Sequence, residues 1–158
     1  MEQVVIVSPH CDDEIIGNFS ILNKFQDIII IYTEPTTEQR IVEAKNLGNY
    51  FSIKKQFFQE KIPNYLLNKN TTFYFPDHTF EIHFAHRKEG FFGERLLREF
   101  GFNIIFYSIS MNVPYLFEVQ DVKRKEEILD LVYPSQSSLW RFEKKYILFE
   151  GRCRWLIE

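Results

Sequence analysis

The stretch "VVIVSPHCDDEIIG" at residues 4–17 joins an uninterrupted apolar run to a turn that carries one histidine and three acidic side chains. Because no polar residue alternates with the apolar ones, the run "VVIVSP" is typical of a strand that is buried on both faces of a sheet. The pattern after the acidic residues predicts a helix over residues 14–25. A buried strand that turns directly into a helix points to an α/β fold.

The same alternation of strand and helix patterns continues along the chain. Further strand-like runs occupy residues 27–33, 71–76 and 103–109, and helical patterns occupy residues 38–50, 88–100 and 122–131. A run at residues 144–152 predicts a late strand, which an edge of the sheet could take, whereas residues 51–70 give no clear assignment. We therefore expect a single α/β domain over residues 1–158, with a mainly parallel sheet and helices on both of its faces.

Composition and charge limit the classes of partner. The 158 residues carry a net charge of −3, which argues against the large basic surface that binds nucleic acid in bulk, although a single modified base stays open as a substrate. No apolar run approaches the roughly 18 residues of a membrane span, and the start "MEQVVIVSPH" lacks the pattern of a signal peptide. Cys11 and Cys153 fit free thiols in a reducing compartment. We expect a cytoplasmic protein without a membrane partner.

The histidines cluster after two of the predicted strands. Of the four in the chain, His10 follows the first strand, and His78, His83 and His86 lie in "HTFEIHFAH" after the strand at 71–76. The carboxyl ends of parallel strands share one edge of a sheet, where ligands bind in α/β folds. Histidine and aspartate are suitable ligands for Zn²⁺, whereas a phosphate site would favour a glycine-rich turn. The sequence therefore predicts a metal site at this edge.

Three motifs carry a resemblance to a known family. "SPHCDDEIIG" resembles the "AHPDDE" signature of the PIG-L/LmbE-like zinc-dependent N-deacetylases, and "IHFAHR" at residues 82–87 resembles their His-x-x-His element. "KRKEEILDLVYPSQ" at 123–136 is similar to their lysine-bearing helix that runs into a Ser-Gln dipeptide. The resemblance spans residues 3–136 and implies a short version of that family's Rossmann-like fold.

The resemblance also implies roles for individual residues. His10, Asp13 and His86 match the metal ligands, which implies one Zn²⁺ per chain, or another divalent metal in its place. Asp12 matches the general base that activates water at the metal, and His83 matches the histidine that stabilises the oxyanion or protonates the leaving amine. These two residues are the expected catalytic residues.

Other matched positions receive no catalytic role. Glu14 matches the glutamate of the first motif, for which we expect only a supporting or helix-terminal role. Lys125 and Gln136 belong to the third motif and are not assigned to chemistry. Two positions depart from the family pattern, since Cys11 replaces a proline and Ala85 stands where many members have an acidic residue. A thiol at Cys11 could compete as a metal ligand.

A rival alignment exists for the second motif. "FPDH" at residues 75–78 would make His78 the ligand and would put Phe75 in the place of the acid histidine. We prefer residues 83–86, because that alignment supplies both histidines and leads directly into a helix. His78 could still line the cleft.

Three functions agree with these residues. The first is removal of an N-acetyl group from an amino sugar or its conjugate, and the second is hydrolysis of another N-acyl amine, such as a metabolite or a modified nucleotide. The third is a homologue that binds metal or ligand without turnover. Short spacing between the motifs predicts an open cleft or one completed by a homo-oligomer, with Arg87, Tyr115 and Trp140 as candidate cleft residues.

Overall fold

A computed structural model of the chain describes residues 2–153. Its strands are β1 (Gln3–Ser8), β2 (Ile28–Tyr32), β3 (Ile53–Phe58), β4 (Thr71–Pro76), β5 (Asn103–Ser108), β6 (Tyr115–Glu118) and β7 (Phe149–Arg152). Its α-helices are α1 (Asp13–Lys24), α2 (Glu38–Lys45), α3 (Phe84–Phe100), α4 (Val122–Val132), α5 (Ser137–Phe142) and α6 (Lys145–Leu148). Short 3₁₀ helices cover Asn46–Asn49, Asn64–Leu66 and Pro134–Gln136. The α/β class predicted from the alternation is confirmed.

The strands form one seven-stranded sheet in the order β3-β2-β1-β4-β5-β7-β6. The first five strands in that order are parallel, and β7 runs antiparallel to both β5 and β6. The chain moves outward from β1 to β3 and then crosses back to β4 on the other side of β1. In parallel sheets, the point where the strand order reverses forms a crevice outside the carboxyl ends of the strands, here β1 and β4, and ligands bind there.

Both faces of the sheet are buried, which explains the uninterrupted apolar runs. In β1, Val4 and Ile6 belong to the apolar cluster on one face, together with residues of α1, α2 and α4, while Val5 and Val7 belong to the cluster on the other face. Leu96 of α3 lies in that second cluster. Because consecutive residues of a strand point to opposite faces, every residue of such a strand must be apolar. Helices therefore cover both faces of the sheet.

The four predicted buried strands agree with the structure to within one residue at each end. The unassigned region 51–70 contains β3, an edge strand whose sequence "IKKQFF" mixes charged and apolar residues. The late run at 144–152 differs from its prediction: helix α6 takes its first part, and β7 lies between two strands rather than at the edge. Among residues 2–153, no helix is both long and apolar enough to cross a membrane.

Helix α1 packs very closely against β5 at its early glycine. A Cβ atom added to Gly17 would lie 2.5 Å from Cδ2 of Tyr107, so any larger side chain would displace the helix from the sheet. The hydroxyl of Tyr107 in turn donates a hydrogen bond of 2.6 Å to the carbonyl of Val7, at the end of β1. This close packing fixes the start of α1, and with it the turn that follows β1.

Directly after Gly17, α1 is interrupted at Asn18, whose φ of −139° is not helical. A regular helix would pair the N–H of Ser20 with the carbonyl of Ile16. Instead, the N–H of Ser20 donates to a carboxylate oxygen of Glu150 at 3.0 Å, and the carbonyl of Ile16 accepts from Nζ of Lys125 at 2.8 Å. The Lys125 of the third motif therefore has a structural role in completing a kinked helix.

Candidate metal centre

The predicted site residues meet at the crevice outside β1 and β4. His10 lies in the turn between β1 and α1, and Asp13 is the first residue of α1. His86 lies in the first turn of α3, the helix that follows β4. Two segments far apart in the sequence therefore supply the same cluster, as expected for neighbouring parallel strands.

Three donor atoms converge in this cluster: Nδ1 of His10, Oδ2 of Asp13 and Nε2 of His86. The Asp13 oxygen is 2.9 Å from the His86 nitrogen and 3.3 Å from the His10 nitrogen, and the two nitrogens are 3.2 Å apart. Asp13 and His86 are buried, whereas the side chain of His10 is 25% exposed. Two imidazole nitrogens and one carboxylate oxygen could hold a metal ion, and three protein ligands leave a position open for chemistry.

Glu81 orients the His86 ring from its far side. One oxygen of Glu81 lies 3.3 Å from Nδ1 of His86, while its other oxygen accepts hydrogen bonds from the backbone N–H groups of Ile109 and Ser110. A carboxylate in this position fixes the ring so that Nε2 faces the donor cluster. Glu81 lies inside "HTFEIHFAH" but was not among the predicted site residues, since its contact with the His86 ring depends on how this loop folds.

The charges of the cluster favour a bound cation. Burial opposes ionisation of Asp13, but His86 and His10 outweigh it and hold the pKa of this carboxyl well below its usual range. Burial also opposes the charged form of His86, yet Asp13 and Glu81 raise its pKa to about 10. In the metal-free protein His86 therefore carries a proton between two carboxylates. A cation at the same point would replace that proton.

Asp12 differs from Asp13 in both backbone and environment. It is buried, with a φ of 128° and a ψ of −28°, and it is not one of the three converging donors. Its carboxylate lies 3.6 Å from Nη2 of Arg40 in α2, which also donates a hydrogen bond to the carbonyl of Cys11. Burial, then Asp13 and Glu14, raise the pKa of Asp12 well above its usual value, against the pull of Arg40. Two adjacent aspartates with opposite pKa shifts are suited to different tasks.

His83 borders the cluster on its exposed side. Its ring centroid is 4.7 Å from that of His10 and 5.3 Å from that of His86. It is also the N-cap of α3, since its Nδ1 accepts a hydrogen bond of 3.2 Å from the N–H of Ala85. Burial, followed by the charges of His10 and His86, lowers its pKa. A neutral His83 therefore carries its proton on Nε2.

The capping bond also explains why α3 begins at Phe84, four residues before the helix predicted from residue 88. The prediction placed the start after the histidines, because "HFAH" has no serine, threonine, aspartate or asparagine to mark a cap. A histidine that accepts through Nδ1 satisfies the same backbone N–H group. The loop before α3 and the first turn of α3 thus bring the rings of His83 and His86 close together.

His78, the ligand of the rival alignment, lies elsewhere. Its ring stacks on Phe91, with centroids 4.6 Å apart, and its Nε2 is 3.7 Å from a carboxylate oxygen of Glu94. The structure brings His86, and not His78, to His10 and Asp13.

Other residues singled out from the sequence lie outside the donor cluster. Cys11 is buried in the apolar core, and burial raises the pKa of its thiol far above the usual range, which disfavours the thiolate that would bind a metal. Trp140 is buried and donates from its indole N–H to Asp130 at 2.9 Å, so it is a core residue and not a cleft residue. The side-chain amide of Gln136 donates a hydrogen bond of 3.1 Å to the hydroxyl of Ser135.

The remaining cleft candidates differ in exposure. Arg87 is exposed near the start of α3, one residue from His86, while Tyr115 is half-buried in β6 and pairs in register with Arg152. Three clefts of about 670, 930 and 310 Å³ lie elsewhere on the described part of the molecule, and none of these three is lined by a member of the donor cluster. His10 is the partly exposed member of the donor cluster and the exposed His83 borders it, so the cluster is accessible from their side.

Comparison of the chain with protein-family models, with curated proteins and with solved structures finds no match. The resemblance to the deacetylase family thus depends on the three motifs alone. The structure adds that the packing of β1, β4 and α3 brings residues of the first two motifs together.

Proposed function

We propose that the chain is a zinc-dependent hydrolase that removes an N-acetyl group from an amino sugar or an amino-sugar conjugate. The observation that carries this proposal is the convergence of His10, Asp13 and His86 at the crevice, with Asp12 and His83 beside them. The strand order β3-β2-β1-β4-β5 supports the Rossmann-like fold that the resemblance implies. The two free cysteines, Cys11 and Cys153, support a cytoplasmic location.

The donor set fits one Zn²⁺, or another divalent metal, held by His10, Asp13 and His86. Asp13 is ionised, and His86 presents Nε2 because Glu81 occupies its other nitrogen. When bound, the cation would act as a Lewis acid toward an amide carbonyl and would make water at the site more acidic.

The residues of the chain account for the movement of protons. Asp12 accepts a proton from water as the water oxygen bonds to the amide carbon, and the carbonyl oxygen becomes an oxyanion. The Nε2–H of His83 donates a hydrogen bond to that oxyanion, a contribution of about 10²–10³ in rate for one such donor. Asp12 then delivers its proton to the amide nitrogen as the carbon–nitrogen bond breaks. The products are acetate and a free amine, which balances one amide and one water.

The electrostatic arrangement supports this division of roles between the two aspartates. Asp13 is surrounded by His10 and His86 and is stabilised as an anion, whereas Asp12 is buried beside two other carboxyl groups, where its proton is held more tightly. A raised pKa makes the Asp12 carboxylate the more basic of the two, which suits the group that accepts the proton.

The direct test is the release of acetate by zinc-loaded protein. The panel should contain N-acetylglucosamine, one of its glycosides, and N-acetylated amines that are not sugars. We expect acetate from the amino sugars, loss of activity after chelation, recovery with Zn²⁺, and no activity in His86→Ala. Release only from the other amines would favour the general amidohydrolase, and a zinc-loaded protein that releases no acetate from any compound would favour a binding homologue.

A further inference from the structure

Asp12 has a main-chain conformation that its own side chain disfavours. Its φ of 128° places it among three residues of the described chain, with Asp27 and Met111, that have a positive φ without being glycine. A side chain with a Cβ atom rarely adopts such a conformation unless the surroundings enforce it. Because Asp12 immediately precedes Asp13 of the donor cluster, the contacts that hold this conformation also bear on the cluster.

Glu14 bonds directly to the Asp12 main chain. One carboxylate oxygen of Glu14 accepts a hydrogen bond of 3.0 Å from the N–H of Asp12, and the hydroxyl of Ser8 lies 3.3 Å from the same oxygen. The carbonyl of Asp12 accepts from the N–H groups of Ile15 and Ile16 at 3.1 and 3.0 Å, as expected for the residue before a helix. The hydrogen bond from the Asp12 N–H is therefore the main-chain contact of Asp12 that depends on a side chain, that of Glu14.

The second oxygen of Glu14 is held by two tyrosines. The hydroxyl of Tyr133 donates to it in a short hydrogen bond, and the hydroxyl of Tyr32 lies 3.3 Å away. Tyr32 has another partner, because its hydroxyl accepts from Gln56 at 3.0 Å. Glu14 and Tyr133 are both fully buried, so their bond is not exchanged for water.

Tyr133 belongs to a distant part of the chain. It follows α4 directly and is 119 residues from Glu14 in the sequence. Without a hydrogen-bond partner for its second oxygen, the Glu14 carboxylate could rotate away from the N–H of Asp12. The tyrosine hydroxyl removes that freedom, because it fixes one oxygen of Glu14 while the other accepts from Asp12.

We infer that Tyr133 is a positioning residue that acts through Glu14 to hold the Asp12 main chain, and so to fix the direction in which the Asp12 carboxylate leaves the turn. The consequence for catalysis rests on the proposed function, in which Asp12 moves the proton. The contact to the Asp12 N–H can be tested without it.

The test compares zinc-loaded wild type with Tyr133→Phe and Glu14→Gln. Phenylalanine keeps the buried ring and removes the donor, while glutamine replaces one of the two accepting oxygens by an NH₂ group. Tyr107→Phe is the matched control, because it also removes a buried tyrosine hydroxyl bond next to α1 but does not touch Glu14. Amide hydrogen exchange of Asp12, followed by NMR, reports the contact itself.

We expect faster exchange of the Asp12 amide in Tyr133→Phe and Glu14→Gln, with kcat lower by about 10- to 100-fold, the scale of a misplaced catalytic group. KM should stay within about twofold, and zinc content should match wild type.

Unchanged exchange and unchanged kcat in both variants, with melting temperatures lowered as in Tyr107→Phe, would overturn the inference. Lower kcat with unchanged Asp12 exchange would overturn it too. If Tyr133→Phe does not fold, Glu14→Gln decides. If the Asp12 amide exchanges faster in both variants but the wild-type protein releases no acetate, the contact is supported and the proposed function is refuted.

Discussion

Nε2 of His86 lies 2.9 Å from Oδ2 of Asp13, although 73 residues separate the two in the chain. The contact joins the turn after β1 to the helix after β4, across the point where the strand order reverses. It is the closest approach within the donor cluster.

Replacement of the two competing histidines should separate the two alignments of the second motif. His86→Ala removes one of three donors, so purified protein should lose its zinc, whereas His78→Ala should keep about one zinc per chain, because His78 contacts Phe91 and Glu94 instead. Elemental analysis of both variants gives the answer. Zinc retained in His86→Ala and lost in His78→Ala would transfer the ligand role to His78.

Glu81→Gln should weaken zinc binding while leaving all three ligands in place. The neutral amide accepts the Nδ1–H bond of His86 more weakly than a carboxylate does, and substitutions of this kind usually lower metal affinity by about 10- to 100-fold. Glu94→Gln is the matched control, since it removes the carboxylate next to His78 rather than His86. A chelator competition titration measures both. Equal affinities for Glu81→Gln and wild type would show that Glu81 does not support the ligand.

His83→Asn should separate the capping role of His83 from its catalytic role. Asparagine is a good N-cap, so helix α3 should keep its stability, whereas His83→Ala should lose about 1 kcal/mol. Both variants should keep their zinc and lose about 10²–10³ in kcat, because neither retains the imidazole N–H. Thermal unfolding and acetate release can be measured on the same samples. Full activity in His83→Asn would exclude His83 from the chemistry.

Lys125→Met should change how stability depends on pH. Burial lowers the pKa of Lys125 from 10.5 to about 7, against the charge of Glu150. Between these values the unfolded chain binds more protons than the folded chain, so the free energy of unfolding rises with pH, by at most about 1.4 kcal/mol per unit. The variant should lose this rise, while the exposed Lys123→Met should keep it.

Urea unfolding at pH 8 and pH 10 measures this difference. The comparison uses the slope of the free energy of unfolding against pH. Loss of the hydrogen bond from Lys125 to Ile16 lowers that free energy equally at every pH, so it leaves the slope unchanged. Parallel pH curves for wild type and Lys125→Met would show that Lys125 is charged in the folded protein.

The parts of the fold that the sequence predicts are those with a single, local physical signal. The strands at the centre of the sheet are apolar on both faces, and so β1 and β4 are visible as uninterrupted runs. The edge strands β3 and β6 are half-exposed and mix polar with apolar residues, so periodicity does not separate them from loops. Helix α6 was missed because four residues are too few for a helical pattern.

The same distinction applies to the candidate site. A metal site at this edge was predicted because histidine and aspartate followed two strand ends, and parallel strands bring such ends together. The choice of His10, Asp13 and His86 as its ligands came from the resemblance of the motifs, and the structure brings these three residues together. Glu81, Arg40 and Tyr133 were given no role, since each acts through a contact that only the folded chain creates.

The two adjacent aspartates provide the most direct test of a catalytic metal centre. Zinc content and acetate release should be measured on the same preparations of wild type, Asp12→Asn and Asp13→Ala. We predict that Asp12→Asn keeps its zinc and loses about 10²–10⁴ in kcat, since it retains the shape of the side chain but cannot accept the proton. Asp13→Ala should lose its zinc. If Asp12→Asn loses zinc while Asp13→Ala keeps both zinc and activity, or if neither substitution affects turnover, the turn after β1 is not the catalytic centre described above.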